Sequence, residues 1–313
     1  MVIGLERFIS SILWVAVAFI LTGLFLSYER DIIQIYNEKV LHKYKDTGVR
    51  LNEYYRSYDY KFIQNTSNYL VDSKQDIYNV FYTAINSGED VFDFYCKYDY
   101  DECEEHLTEI ASDRDLLSNI NNFTHPYNSF KQVETKIEAF GKVKVIFNKN
   151  YSDEEIKLIN DKIDEVYNQL TSENNTTKAN ILAIHNYIIT NSKYDSDKIS
   201  NNSSYNSDKA LGPLFEGYAI CSGYTDAMQL FLEKMGLNNY RVASEAHTWN
   251  AVEIDGKWYH LDLTWDDPVT VGVPDLNLLE HSFFLISTKD LLNYNTGQHI
   301  FDQEIYKELK IEG

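Results

Sequence analysis

The stretch His247 to Leu263, HTWNAVEIDGKWYHLDL, constrains this chain more than any other. Two runs rich in β-branched and aromatic residues flank Asp255-Gly256, a pair suited to a two-residue hairpin turn because both central positions take positive φ. That turn fixes the register. Ile254 opposes Lys257, so Trp249 opposes Asp262 and His247 opposes Thr264. Side chains alternate faces along a strand, which puts His247, Trp249 and Asp262 on one face. His247 then lies diagonally from Asp262, about 7–8 Å away at the backbone, within reach of an imidazole–carboxylate hydrogen bond.

Upstream, Gly217 to Tyr224 reads GYAICSGY, and the apolar positions from Ala227 to Met235 predict a buried helix starting at Cys221 and ending at Gly236. A thiol there feels the positive end of the helix dipole, which favours the thiolate. Gly217 and Gly223 permit tight turns and close approach. Free cysteine is also among the most buried residue types, so on this segment alone the thiol reads first as packing. The hairpin alters that balance. Cys, His and Asp together form a set for nucleophilic acyl transfer: thiolate as nucleophile, His as base and then acid, Asp as orienter.

At these residues the chain resembles the transglutaminase-like superfamily. GYAICSGYTDAM and HTWNAVEIDGKWYHLDLTWDDP are similar to a branch with Cys-x-Gly-Tyr, His-x-Trp-Asn and Asp-x-Thr-Trp-Asp-Asp-Pro, found in bacterial and kyphoscoliosis-peptidase-like proteins. The resemblance implies an α+β class, with a papain-like core in which the helix bearing the cysteine packs on an antiparallel sheet. Carried over by motif, the catalytic residues are Cys221, His247 and Asp262. The motifs run from Asn191 to Pro268, and the implied fold from about Lys142 to Ser287. Phe92 to Phe130 is similar to an extension of bacterial members. Ser222 stands where animal cross-linking transglutaminases carry Trp, which tells against protein cross-linking but not against acyl transfer, and the acceptor is not fixed.

Phe8 to Ser27 is an uncharged run long enough to cross a bilayer as a helix. It lacks the small-residue cleavage site of a signal peptide, so an uncleaved anchor is expected. Basic residues count toward a cytoplasmic C-terminal part, yet long domains translocate largely regardless of charge. Cys96 and Cys103, in CKYDYDEC, can close a short disulfide in an oxidising compartment, which favours an outward-facing domain and leaves Cys221 as the odd thiol.

Along the chain we expect a short tail (1–7), a transmembrane anchor (8–27), a mainly helical, Tyr-rich region (28–135), a transglutaminase-like catalytic domain (136–290) and a C-terminal extension (291–313). A stalk helix is read over 31–52, and helical stretches at IYNVFYTAIN and DLLSNINNF. KVKVIFN (142–148) is a strand, and Ser152 with Glu155 forms a capping box opening a helix to about Leu170. A helix follows over 178–191, with His185 at its surface or core edge, and Ser196 to Lys209 reads as a mobile polar loop. His125 before Pro126 reads as a turn histidine. Trp258 reads as packing, whereas Trp249 and Trp265 either pack the sheet or wall a groove. Tyr194 can shape the site or donate to an oxyanion, as can the Cys221 N–H.

The net charge of −20 excludes a phosphate-tracking surface, so no nucleic-acid partner is expected. Two thiols without a second pair, and an Asp266-Asp267-Pro268 turn, give no metal site, and no cofactor is implied. The function expected is a membrane-anchored, extracytoplasmic cysteine enzyme. It would act on a peptide or Gln-type amide of a protein or cell-envelope substrate through a thioester on Cys221. The rival is a silent scaffold that binds a peptide or surface polymer in the same groove, for which an occluded Cys221 would speak.

Overall fold

In the computed structural model, the described residues are 2–40, 49–97, 99–138, 141–267 and 280–310. The helices are α1 (Val2–Val40), α2 (Lys74–Asn86), α3 (Cys103–Ser112), α4 (Arg114–Asn122), α5 (Asp153–Leu170), α6 (Thr177–Asn191), α7 (Ser196–Ile199), α8 (Cys221–Lys234), α9 (Leu263–Asp266) and α10 (Thr288–Asn293). The strands are β1 (Leu70–Val71), β2 (Val91–Cys96), β3 (Phe130–Ile137), β4 (Lys142–Lys149), β5 (Lys193–Tyr194), β6 (Tyr218–Ala219), β7 (Asn239–Ala243), β8 (Thr248–Ile254) and β9 (Lys257–Leu261).

They form a four-stranded sheet ordered β1-β2-β4-β3, a parallel pair β5-β6, and an antiparallel sheet β7-β8-β9. The β7-β8-β9 sheet divides the core. Tyr240, Val242, Trp249 and Ala251 join a cluster with α2–α4 and the four-stranded sheet, whereas Val252, Ile254 and Leu261 pack with α5, α6 and α8. Adjacent Ala251 and Val252 thus serve opposite cores, as a period of two requires.

The local signals act as their chemistry dictates. Ser152 accepts from the Glu155 N–H while the Glu155 carboxylate accepts from the Ser152 N–H, and α5 runs to Leu170. Asp255 and Gly256 take φ of 53° and 74°, and Ile254 pairs with Lys257. The region before residue 135 is less helical than expected. VFDFYC alternates between exposed and buried and pairs as β2 with β4, so the four-stranded sheet spans the boundary near 135, which falls inside β3.

The expected stalk helix is described only as far as Val40, and residues 41–48 lie outside the described residues. The membrane anchor is overturned. Among the described residues no helix is long and apolar enough to cross a membrane. The single-pass membrane placement, and with it the sidedness inferred for the domain beyond the anchor, is not supported.

Cys96 and Cys103 form a disulfide that ties the end of β2 to the start of α3, with their Cα atoms 6.1 Å apart. Closing so short a loop removes denatured-state entropy worth ~2–3 kcal/mol. Replacing both cysteines with serine is therefore expected to lower unfolding free energy by about that amount in urea titrations. An unchanged midpoint would show that the bond contributes nothing.

Candidate active site

Cys221 opens α8, and Ile220 at the N-cap is extended (φ −101°, ψ 179°) with no side chain capping the helix. The first-turn N–H groups are therefore uncovered by a cap and suit an oxyanion. The approach to that position is tight. A Cβ on Gly223 would lie 2.2 Å from the Ser207 carbonyl oxygen, so only glycine lets the 206–209 segment pack there. That segment is part of the stretch expected to be mobile. It is anchored instead, with Ser207 fully buried and its carbonyl accepting from the Ile220 N–H at 2.8 Å.

Three contacts aim the helix. Asn250 Nδ2 donates to the Thr225 carbonyl at 3.0 Å, Tyr151 OH donates to Asp226 Oδ2 at 2.5 Å, and Arg241 pairs with Asp226. Residues of β8 and β7 thereby hold α8 against the sheet.

His247 stands just before β8, and Asp262 follows β9 and caps α9. Their side chains meet with His247 Nε2 2.6 Å from Asp262 Oδ2. The other imidazole nitrogen is left for Cys221, whose hydrogen bond and charge both act on His247. Asp262 Oδ1 accepts from the Thr264 N–H at 2.9 Å and the Trp265 N–H at 3.3 Å. All three residues predicted from sequence are thus brought together. Cys221 is only part-buried, unlike the occluded thiol a silent scaffold would favour.

Residues 164–263 match the family model of the transglutaminase-like superfamily. That span contains Cys221, His247 and Asp262. Among solved structures, one of a TGase is 14% identical with a TM-score of 0.34, covering 47% of this chain and 47% of that one. A second, described as a candidate cysteine protease from Cytophaga hutchinsonii, is 12% identical with a TM-score of 0.27, covering 42% of this chain and 61% of that one. The chain therefore spans about half and three-fifths of these two structures. No match to a curated protein was found.

The electrostatics of the transglutaminase-like core follow from burial and pairing. Burial alone would lower the His247 pKa, but the Asp262 charge and hydrogen bond, aided by Cys221, raise it to about 9. Burial pushes Asp262 upward, yet His247 and His299 bring it down to about 2. The pair is an imidazolium facing a carboxylate across most of the pH range.

Around the pair, Trp249 stacks on the His247 ring at 5.6 Å and 20°, and its Nε1 donates to His260 Nδ1 at 2.9 Å. Trp249 therefore packs under the site instead of walling a groove. Burial and the neighbouring His299 hold His260 down to about 3, so it is neutral. Trp265 is half-buried against His299 and Phe283, and Trp258 packs on Tyr240. Tyr194 lies near enough for the Cys221 charge to raise its pKa, after burial.

Asp266 and Asp267 divide their work. Asp266 Oδ2 bonds His185 Nε2 at 3.0 Å, while Asp267 accepts from Tyr224 OH. His185, expected at a surface or core edge, is fully buried as the partner of Asp266. The reading of His125 as a turn residue stands: Nδ1 accepts from the Tyr127 N–H at 3.2 Å.

Sequence reasoning missed His299. It lies in the C-terminal segment, its Nε2 is 2.8 Å from Asp262 Oδ2, and it is 1% exposed. No local pattern marks it, because its partner is 37 residues away and no strand carries it there. Among the described residues, His247, Asp262 and His299 also group as potential metal ligands. Their Nε2–Oδ2 separations of 2.6 and 2.8 Å are hydrogen bonds. Ligands of a tetrahedral zinc, with arms of about 2.0–2.1 Å, stand roughly 3.3 Å apart.

Proposed function

We propose that this chain is a cysteine enzyme of the transglutaminase-like type that transfers or hydrolyses an acyl group at a peptide bond or Gln-type amide. The observation that carries the reading is the 2.6 Å bond between His247 Nε2 and Asp262 Oδ2, with the other face of the imidazole turned to a part-buried thiol at a helix start.

The thiolate of Cys221 attacks the amide carbon, forming an S–C bond and an oxyanion that the N–H groups opening α8 can receive. The C–N bond breaks as His247 gives its proton to the departing nitrogen. Water or an amine then attacks the thioester, His247 takes its proton, and the thiolate leaves. Asp262 keeps the Nε2–H tautomer, so Nδ1 faces the thiol. The covered spans of the TGase and the candidate cysteine protease favour neither acceptor, and protein or peptide is the substrate class that suits the chemistry.

Labelled-amine incorporation and peptide release, measured on wild type and Cys221→Ala, test this. Wild type is expected to do one or both, and the variant neither, at unchanged thermal midpoint. Undiminished turnover by the variant would remove Cys221 from the reaction.

A further inference from the structure

We propose that His299 is a positioning residue of this site, a second imidazole that donates to the same Asp262 oxygen as His247 and so holds the carboxylate in the plane His247 needs. The inference rests on the triad reading above and extends the site beyond the residues that match the family model.

The geometry is that of a filled carboxylate. Oδ2 takes the Nε2–H groups of His247 at 2.6 Å and His299 at 2.8 Å, and Oδ1 takes the backbone N–H groups of Thr264 and Trp265. A carboxylate has about four acceptor directions, and here each has a donor. The Asp262 carboxylate can only accept, so His299 donates to it from Nε2, and Thr296 Oγ1 bonds the ring's other nitrogen, Nδ1. The His299 ring is clamped between Phe283, stacked at 5.0 Å and 17°, and Trp249, edge-on at 5.0 Å.

The segment that delivers His299 is itself fastened beside the site. The Gln298 carbonyl accepts from Ser244 Oγ at 2.6 Å, its side-chain Oε1 accepts from Trp265 Nε1 at 3.3 Å, and Phe301 bridges to Ser244. Ser244 follows β7 in the loop that leads to His247, and its N–H donates to the His247 carbonyl at 2.9 Å. Residues 296–301 therefore reach both acidic and basic members of the triad, although family similarity ends at residue 263.

Without His299, Oδ2 keeps one donor and a buried lone pair loses its partner, so the carboxylate can turn away from His247. The imidazolium is then less well held, and the thiolate it supports is less populated. Because His299 touches Asp262 and not the thiol, the loss falls on kcat and thiol reactivity, with KM little changed.

The test compares His299→Leu with His299→Gln, whose amide nitrogen can replace the donor. Two readouts are used: downfield imidazole N–H proton resonances, and the pH dependence of Cys221 alkylation by iodoacetamide. Wild type should show protected downfield N–H signals from His247 and His299 on Asp262 beside that of His185 on Asp266, and His299→Leu should lack one of them. In the Leu variant the alkylation profile should move up by about one pH unit, a roughly tenfold loss at neutral pH, with Gln restoring most of it. A lower thermal midpoint with an unshifted alkylation profile would reduce His299 to a packing residue, and a downfield spectrum that loses no signal in His299→Leu would overturn the proposal. An ordinary thiol profile in wild type, with both downfield signals on Asp262 present, would instead sink the enzymatic reading and leave the Asp262–His299 bond standing.

Discussion

Asp262→Asn is expected to lower turnover by about 10³–10⁴-fold while the protein stays folded. The carboxylate accepts on both oxygens, from two imidazoles at Oδ2 and two backbone N–H groups at Oδ1. An amide has one oxygen and one NH₂ group. If its NH₂ turns toward Thr264 and Trp265, donors face donors across a rigid helix start. If it turns toward the histidines, His247 must present a bare Nε2 and carry its proton on the side of Cys221. It then has no lone pair with which to take the thiol proton.

The pH profile separates this from simple unfolding. The groups that face His247 and Asp262 are Cys221 from α8, His299 from the C-terminal segment and the neutral His260 from β9. In wild type, loss of the His247 proton near pH 9 sets the alkaline limb. In Asp262→Asn the strongest factor raising that pKa is gone and burial still lowers it, so the limb moves to lower pH. The same shifts fix the sign for stability. His247 contributes fully below its ordinary 6.5 and loses that contribution as pH rises through about 9. Asp262 contributes above 3.8 and loses it as pH falls toward about 2. An unmoved alkaline limb with near-wild-type turnover would remove Asp262 from the mechanism.

The second large effect is on stability. Arg56→Met is expected to destabilise by about 3 kcal/mol or more, because it removes a buried guanidinium that bonds two carbonyls and pairs with the part-buried Glu233 carboxylate. Arg56 is almost fully buried. One guanidinium nitrogen donates to the Phe123 carbonyl at 2.9 Å and the Asn239 carbonyl at 3.0 Å, and another pairs with Glu233. Those partners sit at the end of α4, the start of β7 and the last turn of α8. The side chain therefore joins the N-terminal region to the helix that carries Cys221. Its loss removes the positive charge beside Glu233 and one donor from the Phe123 and Asn239 carbonyls, while Asn239 Nδ2 still donates to Glu233 and Tyr60 OH to the Asn239 carbonyl. The melting midpoint should fall by on the order of 10 °C. Arg56→Lys should recover only part, since an ammonium cannot reproduce the fork. A midpoint within a degree of wild type would show that water replaces the arginine at no cost.

Much of the site was legible in the sequence because its parts are local. The Asp255-Gly256 turn sets the hairpin register, and period-two alternation then puts His247 and Asp262 on one face. Cys221 was legible through the helix it opens. Other features were hidden. Strand β2 hid in a Tyr- and Phe-rich stretch, since aromatics suit strands and helices alike when both are buried. His185 looked peripheral because burial by Asp266 cannot be read from helical spacing.

The sequence by itself determined the hairpin register, the helix start at Cys221 and the Cys–His–Asp set, since each follows from turn chemistry and side-chain period within a few residues. Tertiary structure alone decided that Asp262 is shared by two histidines, that Arg56 fastens the N-terminal region to α8, and that the C-terminal segment completes the carboxylate's hydrogen bonds. Those contacts join residues up to 183 apart. No local period encodes such a distance, and only the packing of the two cores against the β7-β8-β9 sheet brings the partners within a hydrogen bond.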